Sequence, residues 1–226
     1  MNRIEVCSVI LAAGDSTRMG FPKALLPLGH GTFLGSILSR HRRAGLDPLV
    51  VLGSDRSLIR RRIDAGSFRS LHNPSPEQGP LSSVKIDLPH VYHSSAFIIH
   101  PVDHPTVSVG TLESLASEHL KNRDCIILPR YLGKKGHPVL FPYRFYADLS
   151  DAPLSEGARF VVRNNRSSML CVDVDDPGIL INVDTPERYV ELFGFPGLTS
   201  PDAGRPAVEK ALRIFRQLEI DFPRYR

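Results

Sequence analysis

Long apolar runs are missing from this chain of 226 residues, and no stretch approaches the roughly 20 residues that a membrane-spanning helix requires. Cysteine is scarce. Cys7, Cys125 and Cys171 make an odd count without metal-ligand spacing, which argues against a disulfide framework. Each falls in or beside an expected strand and reads as a small buried apolar residue. The nine histidines include no H-E-x-x-H pair, the spacing that places two ligands on one helix face. The basic runs Arg40-His41-Arg42-Arg43 and Arg60-Arg61-Arg62 have no aromatic residues interleaved for base stacking. They read as solvated helix faces, and no nucleic-acid partner is expected. No internal repeat and no low-complexity linker is visible. The chain passes from Met1-Asn2-Arg3 straight into a strand pattern without a signal-peptide cleavage region, so a cytoplasmic location away from membranes is the expectation.

What is present is ordinary for a globular protein: 42% apolar and 23% charged residues. A net charge of +4 and a pI near 9.1 suit anionic small ligands. Strand patterns alternate with helix patterns, which predicts an α/β fold with a mostly parallel sheet covered on both faces. Strands are expected over 5–13, 48–53, 68–72, 96–102, 124–129 and 169–174, with a shorter one over 138–141. Helices are expected over 32–44, 58–65, 80–88, 107–119, 142–147, 156–163 and 186–193. Thr106 is the expected cap of its helix, and Thr185-Pro186 places a cap before a proline at the first helical position. Composition changes after Gly197. The expected division is a domain over 1–197 and an appendage over 198–226, a loop followed by a helix over 206–218.

The richest stretch is Leu11 to Leu26. An apolar run ending at Ala13 empties into a loop carrying Gly14, Ser16, Thr17, Gly20, Arg18 and Lys23. Gly-rich backbone can turn its N–H groups toward an anion, Arg forks two phosphate oxygens, and Lys adds a point charge. The pattern is neither a Walker A loop nor the dinucleotide fingerprint G-x-G-x-x-G. It resembles L-A-A-G-x-S/G-x-R-M-G-x-x-K-x-L-L, the signature of MobA-like nucleotidyltransferases. Among these it is most similar to the molybdenum cofactor cytidylyltransferases.

The resemblance implies a three-layer nucleotidyltransferase (Rossmann-like) fold and a nucleotide site at the carboxyl ends of the strands. It extends to further segments. His100-Pro101-Val102-Asp103-His104-Pro105 is similar to a D-Q-P segment whose Asp carries metal, with His104 where Gln is usual. Ile181-Asn182-Val183-Asp184-Thr185-Pro186-Glu187 is similar to D-I-D-T-P-E-D, with Asn182 in place of the first Asp. Asp103 and Asp184, from different strands, would then hold Mg²⁺, a hard cation that takes carboxylate and phosphate oxygens. Each is also good helix-start chemistry. Gly133-Lys134-Lys135-Gly136 places two Gly and two Lys in a loop that could receive an anionic acceptor, and Gly136-His137-Pro138 is similar to the family's G-H-P on the acceptor side. Glu156-Gly157-Ala158-Arg159 matches part of G-D-x-G-A-R, which leaves Arg159 either an acceptor contact or a surface-helix arginine.

The resemblance thus implies a nucleotide site of Leu11, Ala12, Ala13, Gly14, Arg18, Lys23, Asn73, Gly79, Ser82 and Ser83, and an acceptor site of Gly136, His137, Pro138 and Arg159. Arg18, Lys23, Asp103 and Asp184 carry the chemistry. The expected reaction moves CMP from CTP to the phosphate of molybdopterin, with a molybdoenzyme or its chaperone as an eventual protein partner. Asn73-Pro74 with Ser82-Ser83 is similar to the cytidylyl group, whereas Gly79-Pro80-Leu81 is also similar to the guanylyl group. GTP, a sugar-phosphate acceptor, and a non-catalytic nucleotide-binding or chaperone protein therefore stand as alternatives.

Overall fold

The structure is a computed structural model that describes residues 6–63, 68–91 and 93–194. Its first strand, β1 (Val6–Ala12), is buried at every position, as expected of a strand covered on both faces. After the loop that follows it, β2 (Pro27–Leu28) and β3 (Gly31–Thr32) form a small antiparallel ribbon. The Thr32 hydroxyl accepts from Gly35 N and starts α1 (Phe33–Arg43). Next come β4 (Asp47–Leu52), α2 (Arg56–Arg62), β5 (Arg69–His72), α3 (Pro80–Asp87) and β6 (Ala96–Pro101). The second half runs α4 (Val109–Lys121), β7 (Ile126–Tyr131), β8 (Lys134–Lys135), β9 (Val139–Pro142), α5 (Tyr146–Asp151), α6 (Arg159–Asn164), β10 (Met169–Asp173) and α7 (Pro186–Phe193).

The main sheet has the order β10-β7-β9-β6-β1-β4-β5, with β8 added to β7. β1 pairs in parallel with β4 and β6, so Ala12, Leu52 and Pro101 end together at one edge. β9 runs antiparallel to both β6 and β7. Alternation along β1 divides its side chains between two cores. Cys7, Val9 and Leu11 pack with α3, α5 and α6 on one face. Ile10 and Ala12 pack with α1, α2 and α7 on the other, where α4 covers a neighbouring cluster around Ile98. This is the expected three-layer α/β architecture.

Three local expectations are corrected. The cap of α4 is Ser108, not Thr106: the Ser108 hydroxyl accepts from Thr111 N, and Asp176 accepts from Ser108 N and the Thr111 hydroxyl. The helix expected over 142–147 begins at Tyr146, because Pro142 ends β9 and residues 143–145 form a tight 3₁₀ turn. Lys134-Lys135, expected in a loop, doubles back on β7 as a short strand. The helix expected over 206–218 lies outside the described residues.

Candidate functional site

The loop after β1 folds back on itself. Met19 N and Gly20 N both donate to the Ser16 carbonyl at 2.9 Å, and Met19 is 1% exposed, a plug in the α1-side core. The Ser16 hydroxyl accepts from Lys23 N at 3.1 Å. Burying Met19 while Arg18 stays exposed gives the loop one anchored face and one open face. Behind it, a Cβ on Gly53 would lie 2.0 Å from the Ala13 carbonyl oxygen, so only glycine lets β4 leave the sheet beside this loop. Sequence reasoning missed Gly53, whose signal is a glycine at the end of the apolar run Leu49–Leu52.

Four charged groups from three segments meet at the strand ends. Arg18 Nη2 lies 3.0 Å from Asp184 Oδ2. Lys23 Nζ contacts Asp184 Oδ1 and stands 3.6 Å from Asp103 Oδ2. Asn182 Nδ2 donates to Asp103 Oδ2 at 3.3 Å. Asp103 follows β6, and its carbonyl accepts from Val183 N at 2.9 Å, which brings the Asp184 segment alongside. Asp184 was expected at a strand end; its segment is instead an extended connection into α7. The Thr185 hydroxyl caps α7 by accepting from Arg188 N, so capping and the Asp184 carboxylate belong to adjacent residues.

The two carboxylates are electrostatically unlike. Burial raises Asp103 above the usual carboxylate range, against the opposing pull of Lys23. Asp184 feels less burial than it gains from its contacts with Lys23 and Arg18, and is lowered. Asp103 Oδ1 is buried without a hydrogen-bond partner. The His104 and His137 rings pack beside it, tilted 46° to each other with centroids 4.7 Å apart. Burial lowers both imidazoles to about 4, so both are neutral at physiological pH.

These groups border a cleft of about 660 Å³. Of the expected nucleotide residues, Leu11, Ala13, Gly14, Lys23, Gly79 and Ser83 line it, as do Asp103, His137 and Arg159. Arg18 does not line it; Arg18 is held by Asp184, whose other carboxylate oxygen contacts the lining residue Lys23. Ala12 faces the opposite core. Asn73 and Ser82 are spent within the protein. Asn73 Nδ2 donates to the hydroxyls of Ser82 and Ser83 at 2.8 and 2.9 Å, its Oδ1 accepts from Ser75 N, and the Ser82 hydroxyl donates to the Gly79 carbonyl. They brace the loop from Pro74 to Ser83. Asn73, 1% exposed, and Ser82, 7% exposed, line neither of the two cavities described for this face.

A second cavity of about 680 Å³ adjoins the first. Its floor includes Leu128, Phe141, Val162 and Met169, and its rim carries Lys135, Arg159, Arg163 and Arg166. His137 and Arg159 line both cavities. Gly136 enters this wall because a Cβ there would sit 2.3 Å from the Ile179 carbonyl oxygen, the same oxygen that accepts from His137 N at 3.0 Å. Pro138 is buried just behind. Arg163 and Arg166, which share this rim with Lys135, were not singled out from sequence. Their common face exists only once α6 crosses over β7 and β9.

Comparison with known proteins gives consistent matches. Residues 8–169 match the MobA-like NTP transferase domain. The molybdenum cofactor cytidylyltransferase of Escherichia coli (strain K12) is 30% identical over 188 residues, covering 80% of this chain and 92% of that protein. The molybdenum cofactor guanylyltransferase of Xanthomonas euvesicatoria pv. vesicatoria (strain 85-10) is 31% identical over 195 residues, covering 82% and 93%. The crystal structure of Rv0371c from Mycobacterium tuberculosis H37Rv superposes with a TM-score of 0.72 at 28% identity, covering 85% of this chain and 99% of that one. The same mycobacterial protein has been solved in complex with manganese.

Proposed function

Since the chain belongs to the MobA-like NTP transferase family and is a nucleotidyltransferase, we propose that it transfers CMP from CTP to the terminal phosphate of molybdopterin and releases pyrophosphate. The observation that carries this reading is the meeting of Arg18, Lys23, Asp103 and Asp184 where a nucleotide-sized cleft adjoins a second cavity with an apolar floor and a cationic rim. A flat heterocycle bearing a phosphate matches the second cavity: apolar area against Phe141 and Val162, charge against Arg159, Arg163 and Arg166.

Among the described residues no cluster of three or more His, Cys, Asp or Glu is arranged to hold a metal ion. Two carboxylates completed by phosphate oxygens and water still fit Mg²⁺, which binds in this way at triphosphate sites. The buried, unpartnered Asp103 Oδ1 is consistent with such a ligand. When bound there by Asp103 and Asp184, the ion supplies positive charge to the phosphates. Lys23 then has an anion other than the carboxylates to contact, and Arg18 can fork two phosphate oxygens. The acceptor phosphate is already an anion. Its oxygen attacks the α-phosphorus, the bond to the β-phosphate oxygen breaks, and pyrophosphate leaves with the electron pair. No strong general base is needed, which agrees with His104 and His137 being weak bases, lowered by burial to about 4. Catalysis is positioning and charge neutralisation.

Cytosine is favoured over guanine because the loop from Pro74 to Ser83, braced by Asn73, lines the cleft with Ser83. A rigid wall of this kind suits a small base better than a purine. The test is pyrophosphate release from CTP and GTP with molybdopterin. CTP is expected to be used more efficiently, with the preference narrowed or reversed by joint Ser82→Ala and Ser83→Gly changes. Asp103→Ala and Asp184→Ala are each expected to abolish turnover and keep the native circular dichroism spectrum. More efficient use of GTP by the unmodified protein refutes the base assignment. Near-normal turnover by either alanine variant refutes the site.

A further inference from the structure

A hydrogen-bonded chain runs through the core behind the cleft. His41 Nδ1 lies 2.8 Å from the Ser8 hydroxyl, His41 Nε2 lies 2.7 Å from His100 Nδ1, and His100 Nε2 lies 2.9 Å from the His104 carbonyl oxygen. Ser8 and His41 are fully buried and His100 is 1% exposed. One proton arrangement satisfies every link. A carbonyl only accepts, so His100 carries its proton on Nε2 and offers a lone pair at Nδ1. His41 therefore donates from Nε2, and its Nδ1 accepts from Ser8. Burial keeps both rings neutral, lowering His41 to about 3 and His100 well below its ordinary value, the latter helped by the neighbouring His41.

The cores on either side of this chain are aliphatic, with Ile10 and Ile98 fully buried on the same face of the sheet. Packing alone would be served by more of the same, since a buried polar group that loses its partner is destabilising. What the chain reaches is the turn carrying Asp103. The next carbonyl of that turn, from Pro105, accepts from Arg40, the neighbour of His41 on α1. Two adjacent residues of α1 thus bear on this turn, Arg40 directly and His41 through His100. The same turn is tied on its other side by Val102 N to the Leu11 carbonyl and by Val183 N to the Asp103 carbonyl.

We infer that α1 positions Asp103 through this chain. His100, oriented by His41 and Ser8, fixes the Asp103–His104 turn and with it the spacing between the Asp103 and Asp184 carboxylates. None of the three side chains touches substrate, so their role is positioning. The functional consequence rests on the reading of those carboxylates as a divalent-cation site.

Long-range ¹H–¹⁵N spectra of the full-length protein at neutral pH test the chain directly. His41 and His100 are expected as neutral Nε2–H tautomers, and a proton on Nδ1 of either ring overturns the proposal. Manganese affinity in the presence of CTP, read by electron paramagnetic resonance, is expected to fall on the order of tenfold in His100→Leu, as for loss of a group that orients a metal ligand. His100→Gln keeps a donor for the His104 carbonyl and restores most of the affinity. Equal losses in both variants, or none in either, overturn the proposal. Absence of manganese binding by the unmodified protein defeats the cation reading instead. In that case the His104 and Val183 amide shifts decide the positioning, moving in His100→Leu and returning in His100→Gln if it holds.

Discussion

Asp87, near the end of α3, is fully buried, and neither carboxyl oxygen has a hydrogen-bond partner. Burial raises it from 3.8 to about 8, although Arg69 pulls the other way. The folded protein therefore holds this carboxyl protonated at a pH where the unfolded chain has lost the proton. A raised folded value means that its contribution is fully present below the unfolded value and is lost as pH rises toward the folded one. The loss develops between pH 3.8 and about 8. Each pH unit in that window is worth about 1.4 kcal/mol, and the whole shift is on the order of 5 kcal/mol. Asn has the volume of the protonated acid and does not titrate. Urea unfolding of the unmodified protein and Asp87→Asn from pH 5 to 9 separates this group from all others. The stability advantage of Asp87→Asn should widen with pH and flatten above about 8. Parallel curves for the two proteins would show that the buried carboxyl is already paired or hydrated, and the argument would be wrong.

Two further outcomes follow from the site. Lys23→Ala should lower turnover on the order of 10²-fold, the usual effect of removing one fixed charge-stabilising donor, while Arg18→Ala, whose side chain is 69% exposed, should act more weakly and chiefly through CTP affinity. Steady-state pyrophosphate release with CTP calorimetry checks both, and unchanged affinity together with unchanged turnover removes that residue from the site. Gly136→Ala places a Cβ against the Ile179 carbonyl and should destabilise by about 1–3 kcal/mol, the usual cost of overpacking, so a melting temperature equal to that of the unmodified protein contradicts the close approach.

The layers were legible because apolar runs such as Val6–Ala12 alternate with helical spacing along the chain. The direction of β9 was not, since four apolar residues look alike in either orientation. The cap of α4 was misread because Thr106 and Ser108 both carry hydroxyls, and the residue that decides between them, Asp176, comes from 65 to 68 positions away. The charged cluster was readable as separate motifs. That Lys23 bridges both carboxylates is a property of the fold. Asn73 and Ser82 show the limit most clearly. A polar residue in a binding motif can face the ligand or brace the loop that does, and sequence spacing is the same for both.

The antiparallel course of β9 brings the beginning of that strand to the edge where β1 and β6 end. Gly136-His137-Pro138 thereby reaches the reaction edge before its strand, whereas Gly14 and Asp103 reach it after theirs. β9 works as a seam. On one side β1 and the β5–α3 region line the first cleft, and on the other β7, α6 and β10 line the second cavity. The two walls are joined where His137 and Arg159 line both cavities.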